Sequence, residues 1–156
     1  MDKNYVYSIV IPVLNEEKVL NELYKRLTKV MTDIGESYEI IFINDGSTDN
    51  SLKIMKQLQT HDKRIKIIDF SRNFGHQIAI TAGIDFTSGD AVITIDADLQ
   101  DPPEVIPDLI KKWKEGYEVI YGIREKRKGE NFFKKITALI FYRLINKMTM
   151  INMPPD

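Results

Sequence analysis

The run Asp96-Ala97-Asp98-Leu99-Gln100-Asp101 places three carboxylates and an amide directly after the apolar stretch Ala91-Val92-Ile93-Thr94-Ile95. Side chains alternate along an extended chain, so Asp96, Asp98 and Gln100 are expected on one side. Two carboxylates held that close repel each other unless a cation lies beside them. Oxygen-only ligands suit a hard divalent ion, Mg²⁺ or Mn²⁺, shared with substrate phosphates. A solvated acidic turn ahead of a helix has the same Asp-x-Asp spacing. The buried strand before the motif, and Gln100 and Asp101 after it, favour the metal.

Two further polar clusters follow apolar runs. Pro12-Val13-Leu14-Asn15-Glu16 comes after Val6 to Ile11, and Asn44-Asp45-Gly46-Ser47 after Tyr38 to Ile43. In the second cluster Gly46 supplies a turn and Ser47 or Asp49 caps the next helix. Equally, Asp45 can accept hydrogen bonds from a nucleotide base or ribose, and both readings stand. Arg72 and His76 flank Gly75 in the next polar loop, where they can meet a diphosphate or pair with the acidic edge. His61 reads as solvated. With two histidines and no cysteine, zinc sites and disulfides have no support. There is no Gly-x-Gly-x-x-Gly and no Gly-x-x-x-x-Gly-Lys phosphate loop, which argues against a Rossmann dinucleotide site and a P-loop kinase.

The elements that must hold these clusters alternate in type. Strands are expected over Val6–Ile11 (stopped by Pro12), Tyr38–Ile43, Ile65–Phe70, Ala91–Ile95 and Val119–Tyr121. Helices are expected from Asn15, as cap, to Gly35, for about ten residues from Asp49, over His76–Ala82, and from Pro102-Pro103 to Lys114. Such alternation predicts an α/β fold with a parallel sheet and helices on both faces. Ligands then bind beyond the carboxyl ends of the strands, where the polar clusters fall.

The 156 residues fit one domain, with 43% hydrophobic and 29% charged residues. The net charge of −1 hides an asymmetry. Residues 1–110 carry 11 Lys/Arg against 18 Asp/Glu, and residues 111–156 carry 11 against 5. No signal peptide and no run long enough to span a bilayer is seen.

In this order the motifs Val10-Ile11-Pro12-Val13-Leu14-Asn15-Glu16-Glu17, Asn44-Asp45-Gly46-Ser47-Thr48-Asp49, Ser71-Arg72-Asn73-Phe74-Gly75 and Asp96 to Glu104 resemble those of family 2 inverting glycosyltransferases with the GT-A fold. The likeness extends to the subgroup that glycosylates polyprenyl phosphates, including dolichol-phosphate mannose synthases and bacterial bactoprenol glucosyltransferases. It implies a Rossmann-like, mostly parallel sheet and a UDP- or GDP-linked sugar donor. It further implies that Pro12, Leu14, Asn15, Glu16, Asp45, Ser47, Arg72 and Asp96 bind the nucleotide sugar, and that Asp96, Asp98 and Gln100 hold the metal. Asp98 and Asp101 are the implied catalytic carboxylates, with Asp101 a base or, equally, a helix cap. The position of Leu14 is often Tyr in the family, where the ring stacks on the base; the leucine here departs from that pattern and leaves the strength of base stacking open. Arg124 and Arg127 would hold the acceptor phosphate, and a membrane surface rather than nucleic acid is the expected partner. A homo-oligomer is compatible with all of this.

One domain is expected over residues 1–156: a nucleotide-sugar-binding core through residue 123 and a basic amphipathic segment from 124. Asn131 to Met153 interleaves Phe132, Phe133, Ile136, Leu139, Ile140, Phe141, Leu144, Ile145 and Met148 with Lys134, Lys135, Arg143 and Lys147. That pattern suits a helix in a membrane interface on the cytoplasmic side, or one packed on the domain. The family usually continues with a Gly-Asp-Phe-Arg-like segment and two transmembrane helices. Residues 1–156 are therefore expected to bind donor and metal but to transfer weakly.

Overall fold

The structure, a computed structural model, describes residues 5–122. The chain divides into two compact units after Ile120, and the first of them holds the sheet and its helices. Four strands, β1 (Tyr5–Val13), β2 (Tyr38–Asn44), β3 (Ile65–Asp69) and β4 (Gly89–Thr94), form one all-parallel sheet in the order β3-β2-β1-β4. Helices α1 (Leu20–Ile34), α2 (Ser51–His61) and α3 (His76–Asp85) connect them. A 3₁₀ turn (Pro103–Val105) and α4 (Ile106–Lys114) follow β4.

Alternate residues of the central strands bury opposite faces. Tyr7, Ile9, Ile11, Val13, Tyr38, Ile40 and Phe42 pack in one core with Leu20, Leu23 and Leu27 of α1, Met55 of α2, and Ile106 and Ile110 of α4. Val10, Ile41 and Ile43 form a second core with Ala79 of α3. A Cβ on Gly83 would stand 2.4 Å from Val10 Cγ1, so the absence of a side chain lets α3 lie close on the sheet. Helices thus cover both faces, as expected.

Four expectations need correction. The first strand does not stop at Pro12. The Val10 carbonyl accepts from Ile95 N–H on the β4 side, so by alternation the missing N–H of Pro12 faces that side too. Pairing with β4 has ended there, at Val10 opposite Thr94, so no ladder bond is lost and β1 runs on to Val13. Asn15 does not cap α1, which begins at Leu20 behind Val19. Neither Ser47 nor Asp49 is the cap residue of α2, which begins after Asn50, although Asp49 Oδ1 accepts the Ser51 N–H at 2.9 Å. Val119–Tyr121 forms no strand among the described residues: no partner strand lies beside it, and Val119 is 82% exposed.

At the amino end of the sheet a carboxylate is fully buried. Glu39 Oε1 accepts hydrogen bonds from Ser8 Oγ (2.7 Å), Ser88 N–H (2.7 Å) and Ser88 Oγ (2.9 Å), and the Lys66 ammonium lies 2.7 Å from Oε2. The cluster ties the turn before β4 to β1, β2 and β3. Burial by itself would raise the Glu39 pKa, but Lys66, Ser8 and Ser88 together outweigh it and hold the carboxyl below the usual range. A depressed folded-state pKa adds stability above the unfolded value, about 4.3, and that stability disappears as pH falls through the folded value. Glu39→Gln should therefore destabilise at neutral pH by roughly 1–3 kcal/mol. It should also flatten the acid limb of the stability profile, checked by urea unfolding between about pH 3 and 7. A variant whose acid limb matches the parent would show that other carboxylates govern it.

Candidate nucleotide-sugar and metal site

The sheet reverses its build direction at β1: β2 and β3 are added on one side, β4 on the other. That topological switch point is where an open parallel sheet leaves a crevice at its carboxyl end. A cavity of about 310 Å³ lies there, lined by Pro12, Val13, Leu14 and Glu16 at the end of β1 and just beyond it, Asp45 after β2, and Asn73, Gly75 and His76 where the chain enters α3. Asp96, Ala97 and Asp98 after β4 complete the lining. Four sequence segments far apart in the chain meet at one opening.

The loops after β1 and β2 are zipped together by reciprocal bonds. Asn15, at φ 58°, donates its N–H to Ser47 Oγ (3.0 Å) and accepts the Thr48 N–H on Oδ1 (2.8 Å). Glu16 N–H donates to Ser51 Oγ and Glu17 N–H to Asp49 Oδ2, while Asn50 N–H donates to Glu17 Oε2. The N–H groups of Asn15, Glu16 and Glu17, which a helix capped at Asn15 would leave without an intrahelical acceptor, are satisfied across the loops. Asn15 and Ser47, both read from the sequence as nucleotide ligands, act in this zipper and do not line the cavity.

The loop before α3 is held just as firmly. Asp45 is 3% exposed, and its two oxygens accept the N–H groups of Phe74 (2.7 Å) and Gly75 (3.1 Å). Asn44 Nδ2 donates to Asp69 Oδ1 at 2.8 Å. Gly46, at φ +71°, lies beneath the Arg72–Asn73 backbone so closely that a Cβ would stand 2.4 Å from Arg72 C and Asn73 N. This packing brings Asn73, Gly75 and His76 into the cavity.

Arg72 does not reach it; the guanidinium instead stacks 4.6 Å over the Phe74 ring. Of the two residues to which the sequence offered the diphosphate or the acidic edge, only His76 lines the cavity, with Nε2 3.6 Å from Asp96 Oδ1. Gly75 separates the two, because its φ of 100° turns the chain from the exposed Arg72–Phe74 stretch into α3.

Past β4 the chain does not stay extended. Ala97-Asp98 is a turn, Leu99 is left-handed at φ 61°, and Gln100 N–H donates back to Asp98 Oδ1 at 2.9 Å. Strict alternation therefore fails after Ala97, and Gln100 is exposed outside the cavity, whereas Asp96 and Asp98 line it. A left-handed Leu costs about 1–2 kcal/mol, a strain retained beside the carboxylates. Asp101 is exposed and is not among the lining residues. Arg124, Arg127 and the Asn131–Met153 segment lie outside the described residues.

Glu16 has a pKa raised by burial first and then by the negative charges of Asp98 and Asp49. The opening therefore concentrates negative charge with too few cations. No group of three or more His, Cys, Asp or Glu among the described residues is arranged as a metal cage. Two carboxylates with open positions still fit an ion that takes its remaining ligands from water and substrate phosphates, the usual habit of Mg²⁺.

This arrangement is the α/β architecture of GT-A glycosyltransferases. The model of the family "Glycosyl transferase family 2" matches residues 8–155, and the chain belongs to that family. It is 60% identical over its whole length to YkcC of Bacillus subtilis (strain 168), named an uncharacterized glycosyltransferase, covering 48% of that protein. It is 44% identical over 91% of its length to the bactoprenol glucosyl transferase of Shigella phage SfV, covering 46% of it. The chain thus spans about half the length of the curated relatives it matches. Among solved structures, the mannosyltransferase PcManGT from Pyrobaculum calidifontis in complex with GDP-Man and Mn²⁺ superposes with a TM-score of 0.58 at 15% identity. That superposition covers 70% of this chain and 32% of PcManGT.

Proposed function

We propose that this chain forms the donor site of an inverting, metal-dependent glycosyltransferase that moves a hexose from a UDP- or GDP-linked sugar to a polyprenyl phosphate. The observation that carries the proposal is the convergence of Glu16, Asp45, Asp96 and Asp98 on one cavity at the switch point of the sheet. Pro12 and Leu14 offer the apolar surface for the base, with Leu14 41% exposed at the opening. Asp45, already fixed by two backbone amides, keeps free lone pairs for the nucleotide while rigidly setting the loop. Mg²⁺ or Mn²⁺ held by Asp96 and Asp98 would neutralise the charge that develops on the leaving diphosphate; the solved relative carrying GDP-Man and Mn²⁺ supports that pairing.

A lipid acceptor is supported by the relative named bactoprenol glucosyl transferase. A phosphate acceptor is already ionised near neutral pH and needs no strong base. Asp101 is then an orienting group, and attack on the face opposite the diphosphate inverts the anomeric centre. Arg124 and Arg127 are proposed to hold the acceptor phosphate. No helix among the described residues is long and apolar enough to cross a membrane, and the basic, aromatic segment beyond residue 123 is proposed to meet the membrane surface on its cytoplasmic side.

Calorimetric titration with UDP-glucose, GDP-mannose and UDP-GlcNAc, with and without Mn²⁺, tests the donor site. Binding of at least one, strengthened by the metal, is expected. No metal-dependent binding of any of them would sink the assignment. Transfer from the bound donor to a sugar hydroxyl but never to a polyprenyl phosphate would overturn the acceptor.

A further inference from the structure

We propose that His76 donates a hydrogen bond to the diphosphate of the nucleotide sugar, a binding role that rests on the donor-site reading above. Among the described residues lining the cavity, the acidic side chains are Glu16, Asp45, Asp96 and Asp98, and His76 is the only basic one. A diphosphate adds negative charge to this opening. One divalent ion at Asp96 and Asp98 leaves Glu16 and Asp45 uncompensated, so a further donor facing the phosphates has a large effect on binding. Arg72 cannot supply it from its place over the Phe74 ring.

His76 is suited to the task by position and by being uncommitted. Nε2 stands 3.6 Å from Asp96 Oδ1, beyond hydrogen-bond distance, and both side chains are 51% exposed. The ring therefore faces the carboxylate expected to share the ion with the phosphates, yet keeps its donor for a ligand. Its backbone is fixed: Asp45 holds the amides of Phe74 and Gly75, and Ala79 N–H donates to Gly75 O in the first turn of α3. A neutral imidazole donates from one ring nitrogen, so the contact does not require a charged ring.

The test compares wild type, His76→Ala and His76→Gln in binding UDP, UDP-glucose and uridine, with the guanine series in parallel, by calorimetric titration at saturating Mn²⁺. His76→Ala should weaken UDP and UDP-glucose equally, by about tenfold, and leave uridine within about twofold. His76→Gln, which keeps an N–H donor, should recover part of the loss. The thermal midpoints of both variants should match the wild type. Equal loss for uridine and UDP would make His76 a support of the cavity, and loss confined to UDP-glucose would make it a sugar contact. A shifted Mn²⁺ midpoint with unchanged UDP affinity would place its effect on Asp96. Each of these outcomes overturns the proposal, as does His76→Ala binding like wild type, which leaves the donor site standing. Wild type that binds no nucleotide sugar removes both.

Discussion

Asp98→Ala is expected to weaken metal-dependent binding of the nucleotide sugar by at least about 100-fold. Asp98 has two physical roles that this variant removes together. Its charge acts on the cavity, where it raises the Glu16 pKa, and its Oδ1 accepts the Gln100 N–H that closes the turn after β4. Asp98→Asn separates them, because the amide oxygen still accepts from Gln100 while the charge is gone. If charge governs binding, Asn should lose nearly as much as Ala. If Asn binds like wild type, the turn is what matters and Asp98 is not a metal ligand. The readout is the dissociation constant for the donor at several Mn²⁺ concentrations. Removing Asp98 also relieves its repulsion of Glu16, so the Glu16 pKa should fall toward the ordinary carboxylate value.

Gly46→Ala should be among the most damaging small substitutions in the described residues. The φ of +71° is strained for any residue with a Cβ, at roughly 1–3 kcal/mol. The new methyl group would also stand 2.4 Å from the backbone of Arg72 and Asn73, where no flexible side chain can move aside. Overpacking of this kind costs about 1–3 kcal/mol more. The sum, about 2–6 kcal/mol, corresponds to a drop in thermal midpoint of roughly 5–20 °C for a chain of this size. Relief requires the 72–75 loop to lift, which pulls Phe74 and Gly75 off Asp45 and His76 out of the cavity. Donor binding should therefore fall along with stability. A variant with an unchanged midpoint and unchanged donor binding would show that the loop does not rest on Gly46.

Much of the architecture was legible in order along the chain. β-branched runs such as Tyr38-Glu39-Ile40-Ile41-Phe42-Ile43, alternating with helical spacing, pointed to the parallel α/β fold, because the two side-chain periods are local properties. The strand-end position of Glu16, Asp45, Asp96 and Asp98 followed from the same pattern and needed no contact information. Boundaries were less legible. Pro12 stops a strand only where its missing N–H faces a neighbour, and which neighbour ends first is a matter of register. Val119–Tyr121 has strand composition but no strand beside it.

Residue order alone supplies the candidates for the site: carboxylates after successive buried strands, glycines at the turns, and His76 and Arg72 four residues apart. Their duties emerge only on folding. Asn15 and Ser47 became fasteners between loops, Asp45 an anchor for the Phe74–Gly75 backbone, and Gln100 a partner of Asp98 outside the cavity. Arg72 turned onto Phe74, and His76 took the cavity. The reason is that a polar side chain binds whichever donor or acceptor the packed backbone presents first. That choice depends on close approaches such as Gly46 beneath Arg72 and Asn73, which are three-dimensional and have no local signature in the chain.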